Sequence, residues 1–311
     1  VHWLITGEPD PMRPRLAARH FYDQDARCDA VPDHEQDEAV LLDIALAYRQ
    51  AFPDDTGSDR WKLPATVEEM RGWLQPSFVR LFIDRVEQNL GVDVVRLKEI
   101  TTSYTMTIGS HTVIVIPASG SWFYENWSIA HELGHIAAQD MDVDLPTTKQ
   151  REHETRANAF AAELLLPALD VRSVAWSTIT EYELATFIWN YGVSVVALQN
   201  RLAALRLRTP KLIAQWAAAG TFRLLRAAGK NLDGKDTDPE HLVAKRSRDA
   251  SERRFPIGLQ EAHMKRIAEG QLGNETLAWM LGVDADRLDE IEAPPEPPTV
   301  DAGALAKLLD F

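Results

Sequence analysis

The chain of 311 residues has one cysteine, Cys28, so it cannot hold an intramolecular disulfide and must rest on a hydrophobic core. A lone cysteine isolated from His or another Cys reads as an inert thiol and fits a reducing, cytoplasmic setting. No run approaches the ~18 apolar residues of a membrane span, and the opening residues give no expectation of a secretory leader. Positive charge is scarce as well: 33 Lys and Arg face 47 Asp and Glu, for a net charge of −14. The isoelectric point is near 5.1. Such a field repels nucleic acid unless a local basic patch overcomes it, so direct DNA binding is the less favoured expectation. A basic DNA-binding protein, by contrast, would be attracted. No short-period repeat is evident. Apolar residues make up 45% of the chain, ample for one sizeable core and two units.

What is present centres on residues 127–136, W-S-I-A-H-E-L-G-H-I. Ile129, Leu133 and Ile136 recur at helical spacing, so His131 and His135, four residues apart, project from one helix face and can share a metal ion. Zn²⁺ chemistry needs two such imidazoles, a third protein ligand, an open position for water, and a carboxylate to take that water's proton; Glu132 stands where the last would be. Chance supplies H-E-x-x-H on the order of twice per hundred chains of this composition, so the motif needs a third element.

Residues 152–167, E-H-E-T-R-A-N-A-F-A-A-E-L-L-L-P, supply it. Ala157, Phe160, Ala161, Leu164 and Leu165 mark a helix that buries one stripe, and Pro167 suits its end. Glu154 and Asn158 lie at the stripe's edge, one turn apart. A carboxylate held against a core needs a cation to neutralise it, which a metal would be, and Asn158 could orient that carboxylate. Glu152 and Glu163 point about 180–200° of helix rotation away from Glu154. His153 remains a competitor, since imidazole ligates zinc equally well. Ala138 and Met141 stand where the metzincin signature requires Gly and His, which disfavours that class.

The pairing of H-E-L-G-H with E-x-x-A-N-x-F-A-A-E-L-L-x-P closely resembles the ImmA/IrrE metallopeptidases, bacterial and phage proteins that cleave helix-turn-helix repressors to switch on silenced genes. The resemblance is carried by His131, Glu132, Gly134, His135, Glu154, Ala157, Asn158, Phe160 and the run from Leu164 to Pro167, and it is specific over about residues 85–170. It implies zinc bound by His131, His135 and Glu154, with Glu132 as general base. It also implies an α+β fold: a zincin-like core of helices plus a small antiparallel sheet, followed by a mainly helical, helix-turn-helix-like C-terminal region.

In chain order, the first residues, V-H-W-L-I-T-G-E-P, read either as a simple tail or as the last helix of an upstream helix-turn-helix domain. Residues 1–34 are expected to be a linker or such a remnant, 35–170 the peptidase core, 171–228 a helix-turn-helix-like segment packed on it, and 229–311 a C-terminal helical region with an acidic, proline-rich tail over 292–301. Helical spacing predicts helices over 35–52, 66–74 and 77–90, and period-two patterning predicts strands over 92–97, 102–108 and 111–116. Gly109 and Ser110 fit a type II′ hairpin turn. An edge strand beside the metal would hold an extended substrate.

Residues 119–127 read as an aromatic loop, and Tyr104, Tyr124, His111 and His153 are all conceivable oxyanion stabilisers. Residues 183–202 have a helix-turn-helix skeleton with a turn at Gly192 and Ser194 as N-cap, but Arg201 is the one cation before Arg206 and Arg208, so structural packing is favoured over DNA reading. Helices are also expected over 255–269 and 274–290, joined at Gly270 to Gly273, and residues 277–283 carry a similar skeleton. The basic cluster Lys245 to Arg248 and Arg253-Arg254 reads by default as a solvated face, with a phosphate or partner contact as the second reading.

Together these features predict a cytoplasmic zinc metalloendopeptidase whose partner is a repressor-type DNA-binding protein or antitoxin, acting in gene regulation and stress response. The alternative is a transcription regulator that uses the same core as a sensing or docking module.

Overall fold

In the sheet, chain segments rich in β-branched residues alternate between two buried faces. The structure, a computed structural model, describes residues 15–18, 21–23, 28–30, 34–55, 57, 63–139, 147–228, 232 and 238–288. Its strands are β1 (Arg15–Ala18), β2 (Phe21–Asp23), β3 (Cys28–Ala30), β4 (Val92–Leu97), β5 (Tyr104–Ile108) and β6 (His111–Pro117). The order β1-β5-β6-β4 makes one sheet, and β2 pairs with β3 apart from it.

The described helices are α1 (His34–Ala51), α2 (Val67–Leu74), α3 (Phe82–Leu90), α4 (Trp122–Ala138), α5 (Thr147–Leu165), α6 (Ala168–Ser173), α7 (Glu181–Tyr191), α8 (Val195–Ala204), α9 (Lys211–Ala219), α10 (Thr221–Ala227), α11 (Pro239–Asp249), α12 (Ile257–Ala268), α13 (Glu275–Leu281) and α14 (Ala285–Leu288). The α+β class is therefore as expected.

The hairpin between β5 and β6 forms where the sequence places it, with Ile108 opposite His111 and Gly109 at φ +57. Asp55 closes the turn, accepting from the Ser110 N–H at 2.7 Å and from its hydroxyl at 2.9 Å. Two features differ from expectation. The sheet is mixed rather than antiparallel, because β4 runs parallel to β6, from Val92 beside Thr112 to Leu97 beside Pro117. Parallel pairing suits a strand covered by helices on both faces, and five of the six residues of β4 are buried. The stretch read as linker also contributes β1, antiparallel to β5 with Ala17 opposite Thr105. Prolines flank that segment but none lies within it, so its backbone can pair.

Alternation divides the core between the two faces. Tyr104, Met106, Val113 and Val115 pack with Leu41, Ile44 and Tyr48 of α1 and with Leu259 and Leu277 of α12 and α13. Val94, Ile114 and Ile116 pack on the other side with Ile129 and Leu133 of α4, Leu164 of α5, and residues of α7 through α11. Helices α1, α12 and α13 thus cover one face of the sheet, and its other face carries α4 together with α7 through α11.

The helix-turn-helix-like pair is α7 and α8. A Thr180–Glu183 capping box starts it, Gly192 at φ +61 turns it, and the Ser194 hydroxyl oxygen accepts from the Ala197 N–H at 3.0 Å. Val195, Leu198 and Leu202 are buried, and Arg201 turns back to Glu163 and to the Leu166 carbonyl.

Smaller differences have local causes. The helix expected over 77–90 is split into a 3₁₀ turn, Phe78–Leu81, and α3, with Leu81 at φ −129 and ψ 41 between them. The helix expected over 274–290 stops at Gly282, whose φ of +69 ends α13. The N-terminal residues 1–9 and the tail over 292–301 lie outside the described residues. No described helix is long and apolar enough to cross a membrane.

Candidate metal centre

The aromatic stretch read as a loop forms the first turn of α4. Ser121 caps the helix, and the rings of Trp122 and Trp189 lie 5.8 Å apart and those of Phe123 and Phe222 4.9 Å apart, as core contacts. Further along α4, His131, Glu132 and His135 are 0%, 1% and 5% exposed. Four residues of helix bring the two imidazoles to the side facing α5, where their Nε2 atoms are 3.1 Å apart.

Gly134 sets how near α5 can come. A Cβ there would lie 2.9 Å from the Ala157 Cα and 3.2 Å from the Phe160 Cβ, so the missing side chain and the small Ala157 let the two helices touch. That approach delivers Glu154, whose Oε2 is 3.2 Å from the His131 Nε2 and whose Oε1 is 3.3 Å from the His135 Nε2. Burial pushes the Glu154 carboxyl up, but hydrogen bonds and charge from the two histidines outweigh it and hold the group at about 2.

These three side chains form the one His/Cys/Asp/Glu group among the described residues able to hold a metal, with ligand atoms within 4.8 Å of one another. A tetrahedron of zinc bonds of about 2.0–2.1 Å has edges of roughly 3.3–3.4 Å. The 3.1 Å between the two imidazole nitrogens is close to one such edge, and the Glu154 carboxylate reaches His131 at 3.2 Å and His135 at 3.3 Å through its two different oxygens, so the three donors are grouped closely enough to fit the ion.

Residues 87–203 match the family model Peptidase_M78, described as the IrrE N-terminal-like domain. Over that span the chain is similar to the ImmA/IrrE metallopeptidases. No curated protein and no solved structure matches it. The matched span runs from within α3 through β4, β5, β6 and the two metal-site helices into α8, so the helix-turn-helix-like pair falls within it but for the last residue.

Glu132 stands apart from the three ligand residues. Its Oε2 accepts from the Thr105 hydroxyl at 2.7 Å, while its Oε1 is buried without a partner. A buried carboxylate oxygen rarely lacks a donor, and this one sits on the residue between the two histidine ligands' turns. Thr105 was missed by sequence reasoning, although a signal existed. Thr105 and Thr107 alternate with Tyr104, Met106 and Ile108, so once the apolar face of β5 is given to the core the threonines must face α4.

Asn158 acts on a different neighbour from the one expected. Its Oδ1 is 3.2 Å from the His131 Nδ1, so it orients the imidazole rather than the Glu154 carboxylate. An acceptor on Nδ1 favours the tautomer that leaves Nε2 free to bind metal.

The rival ligands are elsewhere. Glu163 is held by Arg201 and by the Ala168 N–H, Glu152 is exposed, and His153 is half-buried and outside the cluster. Two of the oxyanion candidates are committed elsewhere too. The Tyr104 hydroxyl donates to Asp37 at 2.8 Å, and His111 stacks on Phe52 at 4.4 Å between Asp55 and Asp93. Tyr124 is on the first turn of α4, seven residues before His131, or about 10 Å along the axis.

Proposed function

We propose that the chain is a zinc-dependent endopeptidase that cleaves a regulatory protein, a helix-turn-helix repressor or antitoxin, in the cytoplasm. The observation that carries this reading is the unpartnered, buried Oε1 of Glu132 beside a three-ligand cluster. His131, His135 and Glu154 would hold the ion, and three protein ligands are the number found at catalytic rather than structural zinc sites. Bound zinc supplies a water of lowered pKa and polarises the scissile carbonyl.

Glu132, held by Thr105 through one oxygen, has the other available to take the proton of the attacking water and return it to the departing amine. Asn158 keeps the His131 ring in register. The net charge of −14 favours a basic partner such as a DNA-binding protein. A substrate segment that pairs as a strand beside Glu132 has to displace β1, which lies along β5 with Ala17 opposite Thr105.

In the direct test, the zinc-loaded chain is incubated with helix-turn-helix repressors from the same genome, taking first any that a neighbouring gene encodes. The expected result is one discrete cut, with Glu132→Gln slower by about 10²–10⁴-fold at unchanged zinc content. Cleavage by Glu132→Gln at the wild-type rate would remove Glu132 from the mechanism. The second reading, a transcription regulator with a metallopeptidase-like docking module, draws on the helix pair α7 and α8. The pairing of Arg201 with Glu163 and the burial of Val195 and Leu198 weigh against it. Sequence-specific retardation of DNA by the purified chain at moderate salt would favour it.

A further inference from the structure

Of the basic run read as a solvated face, Lys245 and Arg248 are exposed, whereas Arg246, Arg253 and Arg254 fold against the far end of α4. There a cavity of about 380 Å³ is lined by five arginines and four carboxylates, in a chain where acids predominate. Three of the arginines are held in ion pairs with carboxylates. Arg96 binds the Glu125 carboxylate with Nε at 2.6 Å and Nη2 at 3.1 Å, and its Nη1 donates to the Asp249 carbonyl at 2.6 Å. Arg254 binds both Glu87 oxygens at 2.6 Å. Arg253 pairs with Glu99 and donates to the Trp279 carbonyl at 2.8 Å.

Arg246 differs. Its guanidinium lies 4.1 Å from the Trp189 ring centre and 5.7 Å from that of Trp122, and its Nη1 is buried without an acceptor. The indole beneath it, Trp189, has its own Nε1 buried without an acceptor. Burial and the nearby charge of Arg80 pull the Arg246 guanidinium down to about 10, with Asp249 opposing. Arg80 uses one nitrogen on the exposed side chain of Asn190, at 3.0 Å. The cavity thus offers two guanidinium groups, one stacked and immobilised, with apolar wall from Phe82, Ile83 and Trp122.

From this we infer that the cavity binds a small-molecule anion, a carboxylate or phosphate group on an apolar body, with Arg246 as the anchor and Arg80 as the second cation. A donor taken out of water with no acceptor is costly, and an oxyanion supplies several acceptors at once. It also relieves the repulsion between the two cations. The stacked guanidinium is already ordered, so little freedom is lost when it binds. Because Trp122, Glu125 and Asn126 of α4 form part of the wall, the ligand sits against the same helix that carries the metal residues.

The test is calorimetric titration of the zinc-loaded full chain with inorganic phosphate, phenyl phosphate and benzoate, each up to about 10 mM and at matched ionic strength. Saturable binding is expected, weakened roughly tenfold or more in Arg246→Met, with zinc content unchanged. Arg80→Gln, on the exposed side of the cavity, should also weaken it and guards against a folding defect in the first variant. Preference for phenyl phosphate or benzoate assigns an organic phosphate or carboxylate; preference for phosphate itself assigns the free ion. Absence of saturation with all three, or equal affinity in wild type and both variants, overturns the site.

Discussion

Two groups of buried charges sit on α4 only six residues apart, roughly 9 Å along the helix, yet they differ in what is left over. At the first, Glu125 meets Arg96 in a two-pronged pair, and Arg96 spends its remaining nitrogen on the Asp249 and Glu252 carbonyls. Burial raises the Glu125 carboxyl and the Arg96 charge opposes it, so the pair holds itself in place. It ties α4 to β4 and to the segment where Arg254 bridges Arg96 through two backbone bonds of 2.9 Å. At the second, His131, His135 and Glu154 crowd one point, and Glu132 keeps an oxygen with nothing to bind. Buried charge alone marks neither catalysis nor stability. The unspent coordination does, because a saturated cluster has nothing to offer a substrate and an unsaturated one is kept at a cost.

Four perturbations would break or sharpen that contrast. The largest effect should fall on the saturated group: Glu125→Ala leaves Arg96 uncompensated and should lower unfolding free energy by about 3–5 kcal/mol in urea titrations. Glu132→Gln should cost less than about 1 kcal/mol by the same measurement, as expected of a conservative change at a group not fully paired. Similar losses from both would erase the distinction. Next, Asn158→Ala should weaken zinc affinity by about 10–100-fold in chelator competition, because the His131 ring loses its partner; unchanged affinity would mean that the ring orients itself. The smallest effect concerns the strand seat. Removing residues 1–18 should speed repressor cleavage by roughly two- to tenfold at constant zinc content, if β1 competes with substrate for β5. A slower rate would show that β1 supports the site instead.

The legible part of this molecule was whatever repeats at short range. Spacing of four placed His131 and His135 on one face, and the stripe from Ala157 to Leu165 placed Glu154 on a second helix. Ser194 and Gly192 marked the α7–α8 turn through their own backbone preferences. What escaped was set by partners far away in sequence. Pairing of β4 with β6 rather than β5 depends on which strands the helices cover, and β1 is defined by its neighbour β5. Thr105 gains its role only once Glu132 is opposite it. Arg246, Arg253 and Arg254 looked solvated because Trp189, Glu99 and Glu87 lie roughly 50 to 170 positions away.

Everything functional here depends on His131, His135 and Glu154 gripping one divalent ion, and a zinc titration of metal-free protein against a chromogenic chelator tests it. One equivalent should bind tightly to the wild type and to Glu132→Gln, with that tight binding lost in both His135→Ala and Glu154→Ala. Tight, stoichiometric zinc in either of those last two variants would contradict the account.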